Sequence, residues 1–201
     1  MNVYTKLIEV KLMSTESSQP FWLKNLPNYL TFFRIAVNPI LLLLYPFDIK
    51  GIKVFCAALF ALACFTDWLD GFIARRFNLE TRLGAILDPI ADKILIGTAI
   101  ILIVSTNHLL PWLGGGLLCR EIAVSGLRLA ACQQKFSIDV SYIAKIKTFI
   151  LDFSLTCLLV SYSLFGWPFL EIGMISIWFA FFISYYSAWL YLKDFMSKVT
   201  I

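Results

Sequence analysis

Six long apolar stretches, at roughly 29–46, 53–75, 84–106, 110–132, 142–165 and 168–192, leave little of the chain for anything else. An α-helix rises 1.5 Å per residue, so about twenty apolar residues cross the hydrocarbon of a bilayer. The intervening segments "YPFDIKGIK", "RRFNLETR", "STNHLLP", "QQKFSIDVS" and "LFGWP" are short, which makes successive helices antiparallel neighbours. Hydrophobic residues are 60% of the total and the mean hydropathy is +0.80, more apolar surface than a soluble domain of 201 residues can bury. The sequence therefore predicts an all-α integral membrane protein, a six-transmembrane-helix bundle over residues 29–194. A cytoplasmic segment, 1–28, precedes it and a tail, 195–201, follows.

Lysine and arginine set the orientation. Lys6, Lys11, Lys24, Arg75, Arg76, Arg82, Lys135, Lys193 and Lys198 collect on one side, and Lys50 and Lys53 on the other. Cytoplasmic loops hold the excess of basic residues, so both termini and the Asp67–Asp92 region are expected in the cytoplasm. Trp112, Trp167 and Trp189 fall near span ends, as interfacial anchors do. No small-residue cleavage site precedes the first apolar run, which is expected to stay as a span. "VYTKLIEVKLM" has Val3, Leu7 and Val10 near one helical face. It reads as a short interfacial helix, as a loose tail, or as residues ahead of a start at Met13. Cys56, Cys64, Cys119, Cys132 and Cys157 lie in apolar runs without C-x-x-C spacing and read as small core residues. His108 falls in a loop on the outer side, away from any candidate chemistry.

Charges nevertheless interrupt the apolar runs, and they do so with a period. On a helix, Asp70, Gly71 and Ala74 all fall within about 60° of Asp67, with Arg75 just beside them. Gly84 and Asp92 fall within about 40° of Asp88. A short loop joins the two faces at one cytoplasmic end. A lone Asp at a span centre costs about 2.5–3.5 kcal/mol, less near the interface. Four together repel one another as well. Cations remove both costs, and all-oxygen ligands favour Mg²⁺ or Mn²⁺ over zinc. Two divalent ions balance four carboxylates and leave Arg75, Arg76 and Arg82 to meet an anion. The glycines leave room for a bulky ligand. Such a set suits two-metal phosphoryl transfer; simple Asp–Arg pairing at a helix end is the bland alternative.

The spacing Asp67-x2-Asp70-Gly71-x2-Ala74-Arg75-x8-Gly84-x3-Asp88-x3-Asp92 resembles the signature of the CDP-alcohol phosphatidyltransferases at all eight fixed positions. The resemblance implies a six-helix membrane fold, a homodimer, and a site opening to the cytoplasm, in bacteria at the inner membrane. It implies that an alcohol hydroxyl attacks the phosphorus of a CDP-linked lipid, CDP-diacylglycerol, and that CMP leaves. It also implies roles. Asp67, Asp70, Asp88 and Asp92 would ligate two Mg or Mn ions, and Asp92 would take the hydroxyl proton. Gly71, Ala74, Arg75 and Gly84 would line the CDP-lipid pocket, and Thr81 would contact the diphosphate. Thr81 also reads as a helix N-cap. Thr31 and Arg34, on the face of Asn28, could reach the nucleotide or its phosphates; capping plus a snorkelling arginine is the other reading.

The signature does not name the acceptor. "CREIAVSGLRLA" puts Arg120 and Glu121 inside an apolar run, with Arg128 two turns on. In "AKIKT", Lys145 shares a face with Thr148 and Asp152, while Lys147 points elsewhere. Ionisable residues within spans mark functional sites by default. Here the cations outnumber the acids, which suits an acceptor bearing its own phosphate, met by Arg120, Arg128 and Lys145. An internal network of Glu121 with arginine and Asp152 with lysine is the alternative. The blocks "NLPNYLTFFRIAVNP", "TDWLDGFIARR", "LGAILDPIADK", "REIAVSGLR" and "VSYIAKIKT" resemble the branch of the family that uses glycerol 3-phosphate. Serine, phosphatidylglycerol or inositol phosphate are rival acceptors. An intramembrane prenyltransferase or a divalent-cation transporter are rivals of another class.

Overall fold

The computed structural model describes residues 21–77, 82–133, 142–164 and 166–199. Six helices account for nearly all of them: α1 Phe21–Leu44, α2 Lys50–Phe77, α3 Arg82–Ser105, α4 Pro111–Gln133, α5 Tyr142–Val160 and α6 Phe169–Val199. Each contains one of the apolar stretches, and the ends differ from expectation. The first helix begins at Phe21, ahead of the apolar run, and the last continues through Val199 into the segment expected as a tail. The fifth stops at Val160, because Ser161 takes a left-handed φ of 62°. A minimal hairpin follows, β1 Ser163–Leu164 paired antiparallel with β2 Trp167–Pro168. Gly166, at φ 80°, supplies the left-handed residue its turn needs. The interfacial-helix reading of residues 3–13, and Lys135, lie outside the described residues.

Each helix buries one stripe at spacings of three and four. On α1 the stripe is Thr31, Arg34, Val37, Asn38 and Leu41; on α3 it is Ala91, Leu95, Ala99 and Ile103. On α5 it is Lys147, Leu151, Ser154 and Leu158, and on α6 Ile177, Ala180, Ser184, Ser187 and Tyr191. Several of these stripes carry a polar or charged residue among the apolar ones, so Thr31, Arg34 and Lys147 ride on faces that pack the bundle. Helix α1 packs on α2 and α3, α5 on α2, α3 and α6, and α4 on α3 and α6. Cys56 and Cys157 are buried as expected, but Cys119 is exposed, because the inward stripe of α4 runs through Leu117 and Arg120 instead.

The outward faces are apolar too. Leu43, Phe65, Trp68, Phe149, Phe182 and Trp189 are all more than half exposed. Such a coat is out of place in water and suited to lipid. Among the described residues, two segments can cross a membrane by length and composition, Lys50–Leu69 and Phe169–Lys198; Asn28–Leu44 is apolar but shorter. Helices α3, α4 and α5 are interrupted by Asp88, Asp92 and Lys93, by Arg120, Glu121 and Arg128, and by Lys145, Lys147 and Asp152.

Helices α5 and α6 pack closely at Gly173. A Cβ there would lie 2.8 Å from Leu158 Cγ and 3.1 Å from Cys157 Cβ. Gly173→Ala should therefore destabilise the protein by about 1–3 kcal/mol through overpacking. Gly115, whose added Cβ would meet nothing within 4 Å, is the matched control. Gly115→Ala should be neutral or slightly stabilising, since alanine is the better helix former. Thermal midpoints of the two variants in detergent compare them directly.

A polar cluster closes one end of the bundle. Lys53 pairs with Asp48 at 2.5 Å and lies 5.5 Å from the Tyr45 ring centroid and 5.2 Å from that of Tyr162. Tyr162 donates to Asp48 at 2.9 Å. His108 Nδ1 lies 3.0 Å from Thr106 Oγ1 and 3.1 Å from Ser161 Oγ. Burial, then the Lys53 charge, hold His108 below the ordinary histidine pKa of 6.5. The hydrogen bond from Lys53, then that from Tyr162, lowers Asp48. A depressed histidine means that the unfolded chain takes up the proton first. The contribution of His108 to stability is thus complete above about pH 6.5 and is lost as the pH falls towards its folded value. Asp48, already below 3.8, keeps its contribution across that window. The thermal midpoint should fall slightly from about pH 7.5 to about pH 5.5, and His108→Gln should fall less.

Candidate active site

At the opposite end, α1, α2 and α3 converge through one arginine. Arg34 lies in the buried stripe of α1 and is 0% exposed, whereas the side chains of Asp67 and Asp88 are 44% and 37% exposed. Its guanidinium pairs with Asp67 on α2 and, through Nη2 at 3.1 Å, with Asp88 Oδ1 on α3. Thr31, one turn earlier on the same face, donates to the same Asp88 oxygen. Asn38, one turn later, donates to the Arg34 carbonyl at 2.9 Å. The arginine is therefore held from below, and it draws the two carboxylates, open side outward, to one point. Asp67 continues the stripe Phe60–Ala63 of α2, and Asp88 and Asp92 continue the stripe of α3. Pro89 removes a backbone donor from α3 beside Asp88.

Asp92 belongs to a second cluster. Lys93 Nζ lies 2.8 Å from Asp92 Oδ2 and 3.2 Å from Glu121 Oε2. Glu121, buried on α4, also receives Arg120 Nη1 at 2.8 Å and the ammonium of Lys147 from α5. One carboxylate thus gathers three cations from three helices and links, through Lys93, to Asp92. Arg120 further donates Nε to the Ser184 carbonyl at 2.7 Å. Arg128 reaches Tyr191, with Nη2 2.8 Å from the hydroxyl and the guanidinium carbon 5.0 Å from the ring centroid.

The structure brings Thr31, Arg34, Asp67 and Asp88 together, and sets Asp92 within Coulomb range of Asp67. Gly84 is buried near the start of α3. For Asp70, Gly71, Ala74 and Arg75 only the helical backbone of α2 is described, and Thr81 lies outside the described residues. Arg120 and Arg128 do not share one point: they engage Ser184 and Tyr191, two turns apart on α6. The face expected inward on α5 also differs. Lys147 is buried against Glu121 and Lys145 is exposed. Lys147 stands i, i+4 to Leu151, so it follows the apolar stripe of α5 inward, and Lys145, two residues away, falls on the opposite face. Lys93 went unread; its signal was a lysine directly after the last signature aspartate.

Among the described residues no three His, Cys, Asp or Glu side chains gather closely enough to hold a metal ion. The donor chemistry nevertheless fits a hard cation. Only carboxylate oxygens are offered, and two of them already converge on a positive group.

Sequence similarity points to one family. Residues 24–186 match the sequence profile of the CDP-alcohol phosphatidyltransferase family. A CDP-diacylglycerol–glycerol-3-phosphate 3-phosphatidyltransferase of Rickettsia felis is 42% identical over 173 residues, 85% of this chain and 94% of the relative. The protein of that name from Rickettsia prowazekii is 41% identical over 173 residues, again 85% and 94%. The one from Sodalis glossinidius is 40% identical over 130 residues, 62% of this chain and 70% of the relative.

Proposed function

Since this chain belongs to the CDP-alcohol phosphatidyltransferase family, we propose that it transfers the phosphatidyl group of CDP-diacylglycerol to glycerol 3-phosphate, giving phosphatidylglycerophosphate and CMP. The observation that carries this reading is Arg34 drawing Asp67 and Asp88 to one point at one end of three helices. The name shared by the relatives supports the acceptor.

In this reading all six helices span the membrane and the aspartate end faces the cytoplasm, which the apolar outer faces and the lysine–arginine asymmetry support. Asp67, Asp70, Asp88 and Asp92 hold two Mg²⁺ or Mn²⁺ ions, which when bound neutralise the diphosphate and polarise the P–O bond that breaks. Arg34 and Thr31, beneath Asp67 and Asp88, keep those carboxylates oriented and face the nucleotide end of the substrate. Gly71, Ala74, Gly84, Arg75 and Thr81 form the CDP wall. Asp92, oriented by Lys93, takes the proton of the attacking hydroxyl. The acceptor oxygen then bonds to the lipid-linked phosphorus, and the bond to the CMP phosphate breaks. Arg128 and Lys145 meet the acceptor phosphate, with Arg120 contributing its field from the Glu121 cluster.

The test is turnover in detergent with CDP-diacylglycerol and radiolabelled acceptors, with CMP detected. Glycerol 3-phosphate should be consumed with one CMP per product. Product from serine or inositol phosphate, and none from glycerol 3-phosphate, would overturn the acceptor. Metal flux into liposomes without CDP-lipid, and no CMP, would overturn the enzyme.

A further inference from the structure

Asp152 has no role in what precedes. It stands near the middle of α5, beside the buried Leu151. Its Oδ1 is buried and has no hydrogen-bond partner among the described residues. The lysine expected to neutralise it is turned away, since the Lys147 ammonium goes to Glu121 and Lys145 is exposed. A carboxylate oxygen removed from water with no donor among the described residues is costly. Such a group persists where a ligand supplies the missing donor.

Its neighbours say which ligand. Helix α5 packs on α2 and α3, the helices of Asp67 and Asp92. The Asp152 carboxyl lies within electrostatic range of both carboxylates and of Lys147 and Lys93. All three carboxylates act on Cys64, one turn before Asp67 on α2. Asp152 therefore belongs to the aspartate end of the bundle, on the side of the residue placed to take the hydroxyl proton. A diphosphate brings only acceptors and further negative charge, so the CDP-lipid cannot satisfy it. A polyol brings hydroxyl donors. Glycerol 3-phosphate carries vicinal hydroxyls, one to be deprotonated and one to spare, and two neighbouring carboxylates match that pair.

We propose that Asp152 orients the acceptor by receiving a hydrogen bond from the hydroxyl adjacent to the attacking one, the C2 hydroxyl of glycerol 3-phosphate, and so selects for a vicinal diol. The proposal rests on glycerol 3-phosphate being the acceptor. The measurement is kcat/KM for glycerol 3-phosphate and for 3-hydroxypropyl phosphate, which lacks the C2 hydroxyl, at saturating CDP-diacylglycerol. The wild type should favour glycerol 3-phosphate by about 10- to 100-fold, the scale of one hydrogen bond to a charged group. Asp152→Ala should bring the ratio close to one with the CDP-lipid KM unchanged. Asp152→Asn, which keeps the volume and one weaker acceptor, should lower the ratio by about tenfold and carries the test if the alanine variant does not fold.

A wild-type ratio near one, or a ratio that survives in the variants, overturns the proposal. A loss of kcat shared equally by both acceptors overturns it too, and assigns Asp152 to the metals or to packing. No product from glycerol 3-phosphate in the wild type, with product from another alcohol, overturns the acceptor reading itself and is distinguishable from either.

Discussion

Asp88→Asn, and equally Asp67→Asn, should reduce turnover by about 10³-fold or more while leaving a folded protein. The amide has the shape of the carboxylate but lacks its charge. Each substitution removes a charge that the proposed divalent ions require and a strong acceptor for Arg34. The fold survives because the guanidinium has two carboxylate partners. In Asp88→Asn it keeps Asp67, and in Asp67→Asn it keeps Asp88, so neither variant strands a buried cation. CMP release measures the chemistry, and the thermal midpoint in detergent measures the fold. Residual activity above about a tenth of wild type, in a folded variant, would reject the metal-carboxylate reading. Arg34→Met should behave differently, lowering both the midpoint and the activity, because it leaves Asp67 and Asp88 facing one another without a counter-charge.

Glu121→Gln should have the largest effect on stability, about 3–5 kcal/mol, with a fall in thermal midpoint on the order of 10 °C. Glu121 is the common partner of Arg120, Lys147 and Lys93. Arg120 and Lys147 are 6% and 4% exposed, so neutralising Glu121 leaves two buried cations without their counter-ion. Lys93 keeps Asp92 and is the least affected. A second substitution isolates the cause. Glu121→Gln with Lys147→Met should recover part of the loss, since it removes one of the stranded charges. An unchanged midpoint in the single variant would mean that water reaches these cations from the aspartate end of the bundle.

Most of the architecture was legible because apolar length and charge sidedness act locally. A run such as "VFCAALFALACF" can only be a buried or lipid-facing helix, and short breaks force its neighbours to run antiparallel. The signature was legible for a related reason. Its aspartates lie three and four apart, so the period of a single helix places them on one face without reference to any other helix. Helix ends were less legible. Nothing local required α1 to extend back to Phe21 or α5 to stop at Val160; the second is decided by a left-handed Ser161 held by Tyr45 and His108.

The acceptor side shows where the sequence runs out. Two opposite faces of α5 each carry a lysine, and a helical projection cannot say which of them meets α4. The fold turns Lys147 to Glu121 because the apolar stripe through Leu151, Ser154 and Leu158 must face the bundle, and Lys147 rides on that stripe. Arg120 and Arg128 look convergent on paper and separate in space, because α6 offers each a different partner. By itself, then, the sequence determined the apolar helices and the spacing that sets the signature aspartates on shared helical faces, all properties of single helices. The tertiary structure alone decided which charges meet: Arg34 between Asp67 and Asp88, Glu121 among three cations, and Asp152 Oδ1 without a donor among the described residues. Those pairings depend on the rotation of each helix about its axis, which is set by packing against neighbours.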